Sequence, residues 1–114
     1  MNIDGLTIGQ AKEIAAMFVR DGNPVSPYDG LIGGEVMVRT VTMIYVGKLV
    51  AIYPQELVLS DASWIPETGR WAQFVKDGEI SECEPYPNGM DVIVGRGAVL
   101  DACRWQSALP REQK

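Results

Sequence analysis

In residues 36–65, VMVRTVTMIYVGKLVAIYPQELVLSDASWI, apolar side chains return at every second position. A period of two belongs to pleated strands with one face turned to a core. Three strands follow from it. EVMVRTV, residues 35–41, is rich in β-branched residues that suit a sheet. MIYVGKLVAIY, residues 43–53, is interrupted by Gly47, and a glycine inside a strand marks a bulge or sharp bend. ELVLSDASWI, residues 56–65, is the third, and Pro54 ends the second strand in the tight connection Y-P-Q-E.

The remainder of the chain adds shorter pieces. MDVIVGRGAVLDACRW, residues 90–105, predicts a hairpin of DVIV and AVLDACRW around G-R-G, whose glycines permit positive φ. PETGRWAQFVKDG, residues 66–78, predicts a short inserted helix with Thr68 as cap, Trp71, Phe74 and Val75 on one face and Gly78 as stop. EISECEPYPNG, residues 79–89, reads as an acidic loop in which Asn88-Gly89 turns into the next strand. LTIGQAKEIAAMFVR, residues 6–20, predicts an amphipathic helix opened by Thr7 and Gln10, with Ala11, Ile14, Ala15 and Phe18 as its stripe. The organisation expected is an N-terminal helix arm at 1–20, a Gly- and Pro-rich linker at 21–34, a β-barrel body at 35–105 with a helical insertion at 66–78, and a polar tail at 106–114.

Composition narrows the function classes. At 114 residues with 46% hydrophobic side chains, a single folded domain is expected. No apolar run approaches the roughly 20 residues that span a bilayer, and MNIDGLTIGQ has no basic n-region, so neither membrane nor signal peptide is expected. The formal charge of −5 opposes nucleic-acid backbones at long range. The chain has no histidine, and Cys83 and Cys103 have no C-x-x-C spacing, so zinc or another cofactor is not expected. A disulfide is open to these two; free, partly buried thiols are favoured.

The residues that carry the period also carry a resemblance. The apolar positions Val36, Val38, Gly47, Leu49, Leu57 and Leu59, ending in Asp61-Ala62, resemble the first motif of the Sm and LSm family. VIVGRGAVLDA, with Val94, Arg96, Gly97 and Val99, resembles the second. The two cover about half of the chain. The resemblance implies a mainly β fold: a small five-stranded Sm-like (SH3-like) barrel whose leftover edges pair between subunits into a homo-oligomeric ring. The family's uridine-reading loop follows the second strand; here that stretch is YPQEL, one residue shorter, with a carboxylate at Glu56 near the place of the family's Asn. A wider likeness, V-x-V-R-T, G-x-L-V and V-L-x-D-A after the IDGLTIGQAKEIAAMF opening, is to short proteins of tailed bacteriophages and prophages. It implies an accessory protein of the bacterial host cytoplasm or the virion.

Candidate residues follow. The ligand-binding set is Arg39, Arg96, Gly95, Gly97 and Tyr53, for an anion such as a small nucleotide signal of host immunity; the resemblance implies that the Arg96-Gly97 turn approaches the pore of a ring. The competing reading for Arg39 and Arg96 is a salt bridge to Asp61, Glu56 or Asp101, or simple exposure. The interface set is Ile14, Phe18 and Trp105, aromatic and apolar anchors for a second subunit or another phage protein. Trp64, Trp71, Phe74 and Trp105 could stack bases, but the spacing of Trp71 and Phe74 favours core. Asp77, Glu79, Glu82 and Glu84 lack the spacing of a calcium loop and read as a solvated face. No general base or activated nucleophile is evident without histidine, and G-R-G is too short to cradle phosphates, so catalysis is not expected. The function expected is an oligomeric binding or assembly module, with a nucleotide sponge or an Sm-like RNA chaperone as alternatives.

Overall fold

Gly47 forces the shape of the sheet. A Cβ there would meet the Cα of Ala62 at 3.0 Å and the backbone O of Ser60 at 3.2 Å, so a side chain fits at this approach of the second strand to the third only if backbone gives by a few tenths of an ångström. The computed structural model that shows this describes residues 26–114. The chain divides into units 1–30 and 31–114, and the second holds the architecture described here. The arm expected at 1–20, with Ile14 and Phe18, and the first part of the linker lie outside the described residues.

Six strands and one helix make up the body: β1 Glu35–Thr40, β2 Ile44–Ile52, β3 Glu56–Glu67, α1 Trp71–Asp77, β4 Glu82–Pro85, β5 Val92–Gly95 and β6 Val99–Arg104. They form one antiparallel sheet in the order β4-β3-β2-β1-β6. β5 pairs with the first half of β3, from Glu56 to Leu59, while β4 pairs with its second half, from Ser63 to Glu67. The two halves are set apart by a bulge: Val46 faces Ser63 and Lys48 faces Ser60, so two residues of β3 oppose Gly47. One of them, Asp61, takes φ 48° to make the bend.

The tight turns match their sequences. Tyr53 N–H donates to Glu56 O at 2.8 Å across Pro54-Gln55. Gly89 sits at φ 79° with Met90 N–H donating to Pro87 O at 3.2 Å, the geometry of a type II turn. Thr40 closes β1 to β2, its hydroxyl both donating to Met43 O and accepting from Met43 N–H.

β1 is buried on both faces, Val36, Met37 and Val38 being buried in succession. Val36 and Val38 share a face with each other, and Met37 lies on the opposite one. Leu49 and Val92 flank Leu59, and Val94 opposes Leu57, which makes one apolar row across three strands. On the second face Met37, Val46 and Ile65 meet Phe74 of α1, Cys83 of β4 and Trp105. Full burial contributes roughly 1.5–3 kcal/mol for each large side chain.

Several expectations are corrected. The sheet is open and six-stranded, not a closed five-stranded barrel. The G-R-G segment is a 3-10 turn, Arg96–Ala98, held at one end by Arg96 N–H to Gln55 O and at the other by Val41 N–H to Ala98 O. It carries the chain from the β3 side to the β1 side, so β5 and β6 do not form a hairpin. Gly95 has φ −67°, and the left-handed glycines are instead Gly33, Gly69, Gly78 and Gly89. The helix begins at Trp71, and Thr68 does not cap it; its hydroxyl donates to Gly69 O. Gly78 does stop it, at φ 74° with its N–H on Phe74 O. The acidic loop contains β4. Residues 106–114, expected as a tail, are docked: Cys83 and Lys114 exchange backbone hydrogen bonds at 3.0 and 2.9 Å. No helix among the described residues is long and apolar enough to cross a membrane.

Candidate functional site

Among the described residues, two places that combine exposure with recognition chemistry stand out. The first is the pair of strands around the 3-10 turn. β5 bonds to β3 alone and β6 to β1 alone among the described residues, so each has one edge without a β-partner. Ile93 on β5 is 70% exposed and Leu100 on β6 is 63% exposed, with Val41 beside the turn at 69%. Unpaired amides next to bared aliphatic side chains form a surface that seeks another strand.

The second is a face formed by β2, β3 and β4. Tyr45 lies directly opposite Trp64, and Trp64 directly opposite Glu84. Trp64, Glu84, Pro85, Tyr86 and Pro87 line a hollow of about 280 Å³. The rings of Tyr45 and Tyr86 stand 6.5 Å apart. Burial, then the neighbouring Tyr86 hydroxyl, pushes the Tyr45 phenol above its ordinary pKa. The C-terminal segment fixes this wall. Arg111 donates to Ala62 O at 3.0 Å, to Tyr86 O at 2.7 Å and to Asn88 Oδ1 at 2.6 Å.

The residues expected to bind a ligand are engaged separately. Arg39 forms a two-pronged ion pair with Asp101, which holds its guanidinium charged, and its Cζ lies 4.9 Å from the ring centre of Trp71. The salt-bridge reading for Arg39 is therefore the one realised, with Asp101 as partner. Arg96 donates from Nη1 to Tyr53 O at 2.7 Å, so Arg96 and Tyr53 do come together, through backbone. Gly95 pairs with Glu56, and Gly97 is exposed with open space where a Cβ would stand.

Trp105, expected at an interface, is 5% exposed and packs on Phe74 at 4.9 Å between ring centres, with Nε1 donating to Ala108 O. It belongs to the core cluster with Met37, Val46, Ile65 and Cys83. Trp71, expected in the core, is 39% exposed beneath Arg39. Both cysteines are free, and burial pushes each thiol up, the Asp101 charge adding to the effect at Cys103.

The Trp64 face escaped the sequence reading because it depends on register. Trp64 and Glu84 are twenty residues apart in a stretch read as strand, helix and loop, and only the β3–β4 pairing makes them neighbours. No protein-family model matches the chain, and no curated protein does either.

Proposed function

We propose that the protein is a non-enzymatic, self-assembling binding module of Sm-like (SH3-like) design, serving as an accessory or scaffolding protein of a bacteriophage or prophage. What carries the reading is the pair of open edges: β5 and β6 each lack a second β-neighbour among the described residues and expose Ile93 and Leu100. The β5 edge of one copy fits the β6 edge of the next, a head-to-tail contact that generates a ring when the rotation closes. The strand succession supports the kinship. β1, β2 and β3 form a meander, β5 follows on β3, and a 3-10 turn returns the chain to β1 through β6, leaving α1 and β4 as an insertion. The phage setting rests on the sequence likeness. The raised thiols of Cys83 and Cys103 and the engagement of Arg39 by Asp101 favour binding over covalent chemistry.

Native mass spectrometry of the whole chain tests the assembly. The expected result is a multiple of the 12.5 kDa subunit that dissociates to monomer in Ile93→Lys and in Leu100→Lys, with the far-UV circular dichroism unchanged. A monomeric wild type at high concentration, or an assembly indifferent to both substitutions, overturns it.

A further inference from the structure

Trp64 is exposed on β3 with the Glu84 carboxylate opposite it, while the guanidinium of Arg111 bonds the backbone of Tyr86 in the same wall. It is 37% exposed, flanked across the ladder by Tyr45 and Glu84, and it forms one wall of the 280 Å³ hollow with Pro85, Tyr86 and Pro87. Glu82 precedes Glu84 by two residues on the same face of β4 and lies directly opposite Glu67 of β3. Like charges directly opposed on a sheet repel. Among the described residues none of these three carboxylates has a cation within ion-pair distance; the ion pair present is Arg39–Asp101.

We propose that this hollow binds the cationic side chain of an extended basic peptide from a different protein, an arginine or lysine head lying over the Trp64 indole with its charge toward Glu84. A cation over an indole face is attracted by the ring quadrupole, and the aliphatic stem of the same side chain finds apolar surface on Pro85, Pro87 and Tyr86. The positive charge also relieves the repulsion among Glu67, Glu82 and Glu84. The walls are built in advance: Tyr86 N–H donates to Ala62 O at 2.9 Å, Arg111 holds Tyr86 O, and Gln113 Nε2 donates to Glu84 Oε1 at 3.1 Å. Preorganised walls reduce the entropy lost on binding. Charge selects the occupant. Glu84 lines the hollow, with Glu82 and Glu67 farther along the ladder, and together they outnumber the Arg111 guanidinium bonded to Tyr86 O, which disfavours nucleic-acid phosphate; a second copy of this chain carries a formal charge of −5. The docked C-terminal segment already occupies the backbone of Cys83, so the peptide meets the face of β4 and not its edge.

The test is a titration of the full-length chain followed by the NMR signals of the Trp64 indole N–H and of residues 84–87. The probes are a blocked Gly-Arg-Gly-Arg-Gly peptide, its Gln and Glu counterparts, and a short single-stranded oligonucleotide. Saturable shifts with the Arg peptide alone are expected. Trp64→Ala should weaken binding by about threefold to thirtyfold, the span of cation–π contacts. Glu84→Gln, which keeps shape and fold, should weaken it about threefold, more at low salt. Equal shifts from the Gln peptide, preferential binding of the oligonucleotide, or an indole signal unmoved by the Arg peptide overturns the proposal. Ile93→Lys should leave the titration unchanged, so failure of the assembly reading and failure of this one are separable.

Discussion

Gly47 and Ala62 are in backbone-to-backbone contact: a Cβ at 47 would stand 3.0 Å from the Cα and 3.1 Å from the Cβ of Ala62. Because the neighbour is backbone in a strand paired on both flanks, it cannot swing away. Gly47→Ala should therefore destabilise by about 1–3 kcal/mol, the usual cost of overpacking, and Gly47→Val by more. Urea unfolding with an unchanged m-value is the measurement. An unchanged midpoint would mean that the strands can separate at the bend.

Across the bulge, Asp61 holds φ 48°, a conformation that β-branched side chains strongly resist. Asp61→Val should cost about 1–2 kcal/mol, whereas Asp61→Gly should be close to neutral, since relief of strain offsets the added chain entropy. The same denaturant series ranks the two. If valine is tolerated as well as glycine, the bend is not made at this residue.

Phe74 and Trp105 join α1 to the sheet, their ring centres 4.9 Å apart in a cluster with Met37, Val46, Ile65 and Cys83. Trp105→Ala should cost about 3–5 kcal/mol, as removal of a buried aromatic does. Calorimetry of the variant checks it. A residue acting at a subunit contact would instead change the native mass and leave the monomer's stability nearly untouched.

Most strands were legible because their alternation is strong: Val36 and Val38, Leu57 and Leu59, and Val92 and Val94 each lie two positions apart and are buried together. The bend at Gly47, the stop at Gly78 and the turn at Asn88-Gly89 follow from local chemistry that no tertiary contact overrides. β4 was not legible, since ECEP shows one apolar residue, Cys83, between two carboxylates and ends in proline. The burial of Trp105 was not legible, because nothing local distinguishes a core tryptophan at a strand end from an exposed one; its ring partner, Phe74, is 31 residues away. The docked segment 106–114 is mostly polar, and it is held by hydrogen bonds to backbone together with the packing of the single residue Leu109 on the core, which composition does not display. The candidate site suffered most: Arg39 was visible as a residue, but its partner Asp101 lies 62 positions on.

Arg111 ties the C-terminal segment to the β3–β5 region through Ala62 O, Tyr86 O and Asn88 Oδ1, while Ser63 Oγ donates to Pro110 O at 2.8 Å. Hydrogen bonds from a charged group contribute about 1.5–3 kcal/mol, so Arg111→Met should destabilise by that order and open the hollow beside Trp64. Hydrogen exchange reads both effects, with faster exchange expected at Cys83, Tyr86 and Lys114. Unaltered protection there would mean that packing of Leu109, not Arg111, secures the segment.

The thiols predict an alkaline limb in the stability curve. Cys83 is 1% exposed, and burial raises its pKa above the ordinary 9.0, as it does for Cys103. The unfolded chain therefore releases these protons first and binds fewer of them above pH 9, so stability is level below that pH and falls as pH climbs through the folded-state values. Tyr45, raised from 10.0, adds its own fall at higher pH and leaves the stretch just above 9 to the cysteines. Cys83→Ala and Cys103→Ala should each flatten that stretch relative to wild type. Thiol labelling gives the independent check: Cys103 should react in the folded protein while Cys83 waits for local opening. A Cys83 that labels as fast as Cys103 at neutral pH would show that the cover provided by Lys114 and Trp105 is not closed in solution.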